Sequence, residues 1–72
     1  MNWIEMADTC IAKRKELKIS QEELSEKAEV SKSSVQRLEA GIKVKPDILL
    51  RIIMCLGVDY ITIKDIRELY SK

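Results

Sequence analysis

Apolar residues recur at intervals of three and four along most of the chain, and only two glycines and one proline interrupt it. This interval is typical of α-helices with one buried face. The sequence therefore predicts an all-α fold of about five short helices. The first helix is predicted over about residues 2–18, where the inward stripe consists of Trp3, Ala7, Cys10 and Leu17.

A second helix has a clear start signal. Ser20 and Glu23 have the spacing of a capping box, in which each side chain accepts a hydrogen bond from the other residue's backbone amide. The helix is predicted to begin there and to stop near Glu29. Its inward residues are Leu24, Ser25 and Ala28.

A third helix is predicted after Ser31, a candidate N-cap, and runs to about Leu38 with Val35 and Leu38 inward. Gly41 ends it. Only a short break around Glu29 separates this helix from the second, so the two must cross steeply and bury the side chains at their corner. Residues 21–40 therefore have the pattern of a helix-turn-helix.

The last third of the chain predicts two more helices. Pro46 and Asp47, a plausible cap, form a helix start before Ile48–Leu56, and Gly57 ends that helix. A final helix is capped near Asp59 or Thr62, although the alternation of Val58, Tyr60 and Thr62 leaves a short extended stretch open.

The charges are unevenly placed along the chain. A net charge of +1, from 13 basic and 12 acidic residues, argues at first against a nucleic-acid partner. Residues 13–18 and 31–45, however, each carry a net +3, residues 20–29 carry −3, and residues 46–72 are balanced. Near-neutrality thus conceals two basic segments. The glutamates of residues 20–29 indicate a solvated helix face rather than acid–base chemistry.

The residues that the chain lacks exclude several classes of protein. It has no histidine, which excludes nucleophilic catalysis by a Cys–His or Ser–His pair, and we expect no enzyme. Cys10 and Cys55 lie far apart without a CxxC spacing, which predicts buried thiols, no metal site and no cofactor. No apolar run is long enough to span a membrane and no signal stretch is present, so we expect a cytoplasmic protein.

The helix-turn-helix and its surroundings resemble the phage repressor and Cro family, often called the XRE family, over about residues 8–60. The string of residues that carries the resemblance consists of Arg14, residues 19–25, Val30, Ser31, Val35, residues 38–41, Pro46 and residues 56–58. The resemblance implies a five-helix domain of the lambda-repressor type that binds double-stranded DNA, with residues 1–72 as one domain.

Three residues depart from the family pattern. Glu29 stands at the turn position usually given to glycine, Ala40 replaces an asparagine, and Ser25 replaces an alanine. We expect Glu29 either to adopt a left-handed backbone or to alter the turn. The hydroxyl of Ser25 is expected to bond a backbone carbonyl four residues back.

An α-helix fits the major groove of DNA, and its outward side chains then reach the bases. The outward residues of the third helix, which we predict to read bases, are Lys32, Ser33, Gln36 and Arg37. Arg37 is the strongest candidate because its planar fork matches O6 and N7 of guanine. In the family, the positions that match Lys32, Ser33 and Arg37 commonly meet bases.

The resemblance implies a phosphate contact for Gln21 and an ion pair between Arg14 and Glu39, and other polar residues near the third helix are further candidates for phosphate contacts. Gln21 matches a position that typically bonds a phosphate, and the remaining predicted phosphate contacts are Ser31, Ser34, Lys43 and Lys45. For each of these residues the alternative is an ordinary polar surface side chain. Family members pair the residues that match Arg14 and Glu39, so this ion pair is expected to be structural rather than DNA-facing.

A domain of this size contacts only a few base pairs, and specific binding normally needs more. We therefore expect a two-fold dimer on half-sites about 34 Å apart. The predicted dimer surface, which includes the C-terminal segment 59–72, consists of Leu50, Met54, Ile61, Ile66, Leu69 and Tyr70, with Trp3, Ile4 and Ile11 as possible additions. In the alternative, the final helix folds back over Leu50 and Met54 within one chain.

Together these features predict a sequence-specific transcriptional regulator, a repressor of the Cro or restriction-controller kind, that binds an inverted-repeat operator as a homodimer. The length leaves no room for a self-cleavage or small-molecule sensing domain, so no small-molecule ligand is expected. The rival hypothesis is a protein-interaction module, such as an antitoxin or antirepressor, built on the same fold.

Overall fold

The computed structural model describes residues 1–71 and contains five α-helices. They are α1 (Trp3–Glu16), α2 (Gln21–Ala28), α3 (Lys32–Glu39), α4 (Pro46–Leu56) and α5 (Ile63–Tyr70). Within the described residues there is no strand, so the short extended stretch left open around residues 58–62 forms no β-strand and connects α4 to α5. The predicted all-α class with five helices is confirmed.

Helices α1 to α4 surround one hydrophobic core. Its fully buried side chains are Met6, Cys10, Leu24, Val35, Leu38, Leu49, Ile52 and Leu56. The predicted stripe on α1 missed Met6 and wrongly included Leu17, which is exposed. Leu17 is the C-cap of α1, where its amide still donates to the carbonyl of Lys13 at 3.0 Å, and the chain leaves the helix at Lys18 with φ 59°; Leu17 therefore lies at the exposed end of α1.

The helix starts follow the local sequence signals closely. The capping box of Ser20 and Glu23 is present, and a second one joins Thr62 and Asp65 at the start of α5, so Thr62 rather than Asp59 is the cap. Helix α4 begins at Pro46, two residues earlier than predicted, and Asp47 is not its cap. Asp47 lies in the first turn instead, where the positive end of the helix dipole stabilises a carboxylate.

Glu29 adopts the left-handed backbone, with φ 58° and ψ 46°. The amide of Val30 donates to the carbonyl of Ser25 at 3.0 Å, and the amide of Glu29 donates to that of Glu26 at 3.3 Å. This pair of bonds is the Schellman arrangement, which normally places glycine at the left-handed residue. The family turn is therefore kept, at a backbone cost of about 1 kcal/mol.

Replacing Glu29 by glycine should consequently raise the free energy of unfolding by about 0.5–1 kcal/mol, because glycine removes the steric cost of the left-handed backbone. Thermal unfolding followed by circular dichroism would measure the gain as a rise of a few degrees. Glu29→Ala is the matched control, since it removes the same charge but keeps a β-carbon. Equal melting temperatures for the glycine and alanine variants would contradict the prediction.

The other two departures from the family pattern are accommodated locally. The hydroxyl of Ser25 donates to the carbonyl of Glu22 at 2.7 Å, three residues back rather than the expected four. Ala40 ends α3, and its amide donates to the carbonyls of Gln36 and Arg37, each at 3.0 Å. Neither residue disturbs the corner between α2 and α3.

The thiols differ in burial. Cys10 is fully buried, and this burial raises the pKa of its thiol to about 12, so the thiol stays neutral and packs as a small apolar group. Cys55 is only half-buried, although it packs against the core. The prediction of two buried thiols is correct for Cys10 alone.

Helix α5 docks on the start of α1 and on the loop before α4. The indole N–H of Trp3 donates to the carbonyl of Leu69 at 3.1 Å. The rings of Trp3 and Tyr70 pack edge to face, with 5.2 Å between their centroids. The hydroxyl of Tyr70 donates to the carbonyl of Val44 at 2.6 Å. These contacts join the two ends of the described chain.

This docking changes the predicted dimer surface. Leu69 is only 5% exposed and Tyr70 is half-buried, so both are occupied within the chain, and Ile61 and Ile66 also pack against the core. Leu50 and Met54 remain 43% and 76% exposed. The alternative in which α5 covers Leu50 and Met54 is therefore wrong, because α5 lies against Trp3 and Val44 instead.

Candidate nucleic-acid interface

The outward face of α3 is free. Lys32, Ser33, Gln36 and Arg37 are all exposed, while Val35 and Leu38 on the opposite face are buried in the core. The helical period places the first four on one side because residues three and four apart lie close together on a helix. The structure thus presents all four predicted base-reading side chains to solvent.

Three serines gather at the start of α3. The Oγ of Ser31 accepts from the amide of Ser34 at 3.2 Å, as an N-cap does. The same Oγ lies 3.0 Å from the Oγ of Ser33 and 2.9 Å from that of Ser34. A hydroxyl rotates freely and can both donate and accept, so Ser33 and Ser34 can exchange these bonds for contacts to DNA.

Arg14 and Glu39 form a nearly buried ion pair. The guanidinium of Arg14 donates from Nε to Oε2 of Glu39 at 2.6 Å and from Nη2 to Oε1 at 3.0 Å, which is a two-point contact. Their side chains are only 14% and 7% exposed. The hydrogen bond to Glu39 raises the pKa of Arg14 above its usual value, so the guanidinium stays charged throughout the physiological range.

The ion pair extends into a network that the sequence did not indicate. The Nη1 of Arg14 donates to the carbonyl of Ile19 at 2.9 Å, and the amide nitrogen of Gln21 donates to Oε1 of Glu39 at 2.9 Å. The network therefore ties α1, the start of α2 and the end of α3 together. A glutamine amide carries two N–H donors, so Gln21 can hold Glu39 with one and offer the other to a phosphate.

A shallow polar groove of about 310 Å³ runs beside α3. Its lining is Ser34, Arg37, Lys43, Val44, Lys45 and Ile48. The groove brings together three predicted phosphate contacts, Ser34, Lys43 and Lys45, with the predicted base reader Arg37. The other predicted contacts, Gln21, Ser31, Lys32, Ser33 and Gln36, lie outside this lining.

The local charge around α3 is more positive than the sequence total suggests. Because Glu39 is neutralised by Arg14, the exposed charges of α3 and of the loop after it are those of Lys32, Arg37, Lys43 and Lys45. The acidic side chains of Glu22, Glu23 and Glu26 belong to α2. The surface of α3 and its following loop therefore suits a polyanion.

A family model described as "Helix-turn-helix" matches residues 11–62, which is most of the chain. The chain belongs to the XRE-type helix-turn-helix family. Searches of the curated proteins and of the solved structures returned no match.

As a member of the XRE-type helix-turn-helix family, the chain is a DNA-binding regulatory domain of the lambda-repressor type, and its ligand is double-stranded DNA. In helix-turn-helix domains the second helix of the motif enters the major groove, and α3 is the second helix of the motif in this chain. The match ends before α5, and it begins after Trp3. Among residues 1–71, no helix is long and apolar enough to cross a lipid bilayer.

Proposed function

We propose that this chain is a sequence-specific transcriptional repressor that acts by occupying an inverted-repeat operator as a homodimer. The observation that carries the proposal is the exposed face of α3, where Arg37 lies between outward base-reading candidates and the groove lined by Lys43 and Lys45. A planar guanidinium at that place can bond guanine while ammonium groups beside it hold the backbone.

Each residue has a role in this proposal. Lys32, Ser33, Gln36 and Arg37 read base edges, while Gln21, Ser31, Ser34, Lys43 and Lys45 contact phosphates. Arg14 and Glu39 fix α3 against the rest of the domain and touch no DNA. The chain supplies only binding, so repression follows from its competition with other proteins for the operator.

The size of the domain supports dimeric binding. Its Cα atoms extend over 30 × 21 × 17 Å, whereas successive major-groove half-sites on one side of DNA are about 34 Å apart. One α3 helix therefore reaches one half-site, and a second copy is needed for the other. Leu50 and Met54 on α4 are the exposed apolar pair that we assign to the contact between copies.

The decisive experiment is selection from a pool of random duplex DNA with the wild-type chain and with Arg37→Ala, at low and moderate salt. The wild type should enrich an inverted repeat, and its affinity should fall steeply as salt rises. Arg37→Ala should lose about 1–3 kcal/mol of discrimination at one base pair of each half-site. Sequencing of the selected pools and titration of the selected duplex measure both effects.

Arg67→Ala is the matched control, because it removes the same exposed guanidinium from α5, away from the recognition helix. It should select the same sequence as the wild type. An unchanged consensus for Arg37→Ala would remove Arg37 from base reading. Absence of any enrichment at low salt would overturn the proposed function and favour a protein-interaction module.

A further inference from the structure

The loop at residues 42–45 is held by a side chain from outside the helix-turn-helix. Val44 is buried between two exposed residues, Lys43 and Lys45, and its carbonyl accepts the hydroxyl of Tyr70 at 2.6 Å. The Nζ of Lys43 lies 5.5 Å from the centroid of the same ring. One side chain of α5 thus fixes the backbone between the two lysines and also contacts one of them.

We propose that Tyr70 is a positioning residue for DNA binding, which holds the loop at residues 42–45 so that Lys43 and Lys45 meet the phosphate backbone beside α3. The inference rests on the proposed function of the α3 surface. It assigns to α5 a part in DNA affinity, although Tyr70 itself touches no DNA.

The position of the loop decides whether the lysines are useful. Lys43, Val44 and Lys45 line the same groove as Ser34 and Arg37, so a shift of the loop moves both ammonium groups away from α3 together. The backbone of a mobile loop loses conformational freedom when the lysines of that loop bind phosphates. A loop that is already fixed avoids part of that loss, which is the advantage of preorganisation.

Tyr70 is itself firmly held. Its ring packs edge to face on Trp3, and the indole N–H of Trp3 bonds the carbonyl of Leu69, the preceding residue. Burial, with a contribution from Asp47, raises the pKa of the Tyr70 hydroxyl to about 12, so the group remains a hydrogen-bond donor near neutral pH. Trp3 and Tyr70 both lie outside residues 11–62, so the contacts that hold the loop come from outside the part of the chain that the family model matches.

The test is a double-mutant cycle between Tyr70→Phe and the paired change Lys43→Ala, Lys45→Ala, measured on the duplex selected from the random pool. Tyr70→Phe removes only the hydroxyl, so it should weaken binding by roughly three- to tenfold, as the loss of one hydrogen bond does. In the chain without the two lysines the same change should weaken binding less than about twofold. The salt dependence should also become shallower in Tyr70→Phe, because fewer ions are released.

Three controls separate positioning from general damage. Trp3 is the only tryptophan, so its fluorescence reports directly on whether α5 stays docked in every variant that keeps Trp3. Tyr60→Phe makes the same chemical change at an exposed tyrosine and should bind as the wild type does. Trp3→Phe, which removes the indole bond to Leu69 but keeps an aromatic ring, should weaken binding in the same lysine-dependent way as Tyr70→Phe.

The outcomes are distinguishable. If the wild type selects an operator and Tyr70→Phe binds it equally well, the inference about Tyr70 is wrong while the proposed function stands. An equal loss with and without Lys43 and Lys45 would also overturn it, because Tyr70 would then act through overall stability. If the wild type selects no DNA, the proposed function fails, and the role of Tyr70 fails with it.

Discussion

Replacing Arg14 by alanine should lower the free energy of unfolding by about 3–5 kcal/mol, since it leaves a nearly buried carboxylate without its cation. Glu39 would keep only the single bond from Gln21, where it now accepts three. A domain of this length has a total stability of about 4–11 kcal/mol, so a large share of its stability would be lost. Chemical denaturation followed by circular dichroism measures the change.

Two further variants show where this loss comes from. Lys15→Ala removes an exposed cation from the same helix and should change stability by no more than about 0.5 kcal/mol. Replacing Arg14 and Glu39 together by methionine removes both charges and should recover most of the stability lost by Arg14→Ala. An Arg14→Ala chain as stable as Lys15→Ala would show that the pair contributes little. The folded fraction of Arg14→Ala should keep the wild-type sequence preference, in contrast to Arg37→Ala.

Features set by near neighbours in the chain were predictable from the sequence. The capping box of Ser20 and Glu23 depends on two residues three positions apart, and the structure has it as predicted. The outward face of α3 follows in the same way, because burial of Val35 and Leu38 leaves only one arrangement for the residues between them. These local rules were enough to predict five helices and the face that we propose reads bases.

Contacts between distant residues were not predictable in this way. Gln21 and Glu39 are 18 positions apart, and Tyr70 and Val44 are 26 apart. Periodicity shows that a helix has an apolar face but not which neighbour covers that face. The apolar side of α5 was therefore assigned to a second copy or to α4, whereas in the structure it packs on Trp3 and Val44.

The groove beside α3 could not be predicted from the sequence for the same reason. Lys43 and Lys45 were candidates because of their charge, but their placement depends on the loop between α3 and α4, and Tyr70 bonds that loop. Resemblance to a family supplied the pairing of Arg14 with Glu39, which no spacing rule could have given. It could not supply the docking of α5, because the match ends at residue 62.

Substituting Leu50 by glutamate should abolish the proposed dimer and weaken operator binding by on the order of 10²- to 10⁴-fold, since linked binding of two half-sites is lost. Leu50 and Met54 lie four apart on one face of α4 and are 43% and 76% exposed, so neither is needed for the core. A buried carboxylate in an apolar contact is strongly unfavourable, whereas the same group on a free monomer is solvated. Equilibrium sedimentation at micromolar concentration and titration of the selected duplex measure the two effects, and Met54→Glu should reproduce both.

Leu17→Glu provides the matched control, because Leu17 is an exposed leucine of nearly equal accessibility at the end of α1. It should dimerise and bind as the wild type does, and at concentrations where both variants are monomeric the melting temperature of Leu50→Glu should stay close to that of this control. A wild-type chain that sediments as a monomer near 8.3 kDa at every concentration when free, and that binds the selected duplex as a single chain, would overturn the dimer. Dimerisation that survives Leu50→Glu and Met54→Glu would instead place the interface at other exposed apolar residues. Two of these are Tyr60, which lies just before α5, and Ile63, which is the first residue of α5.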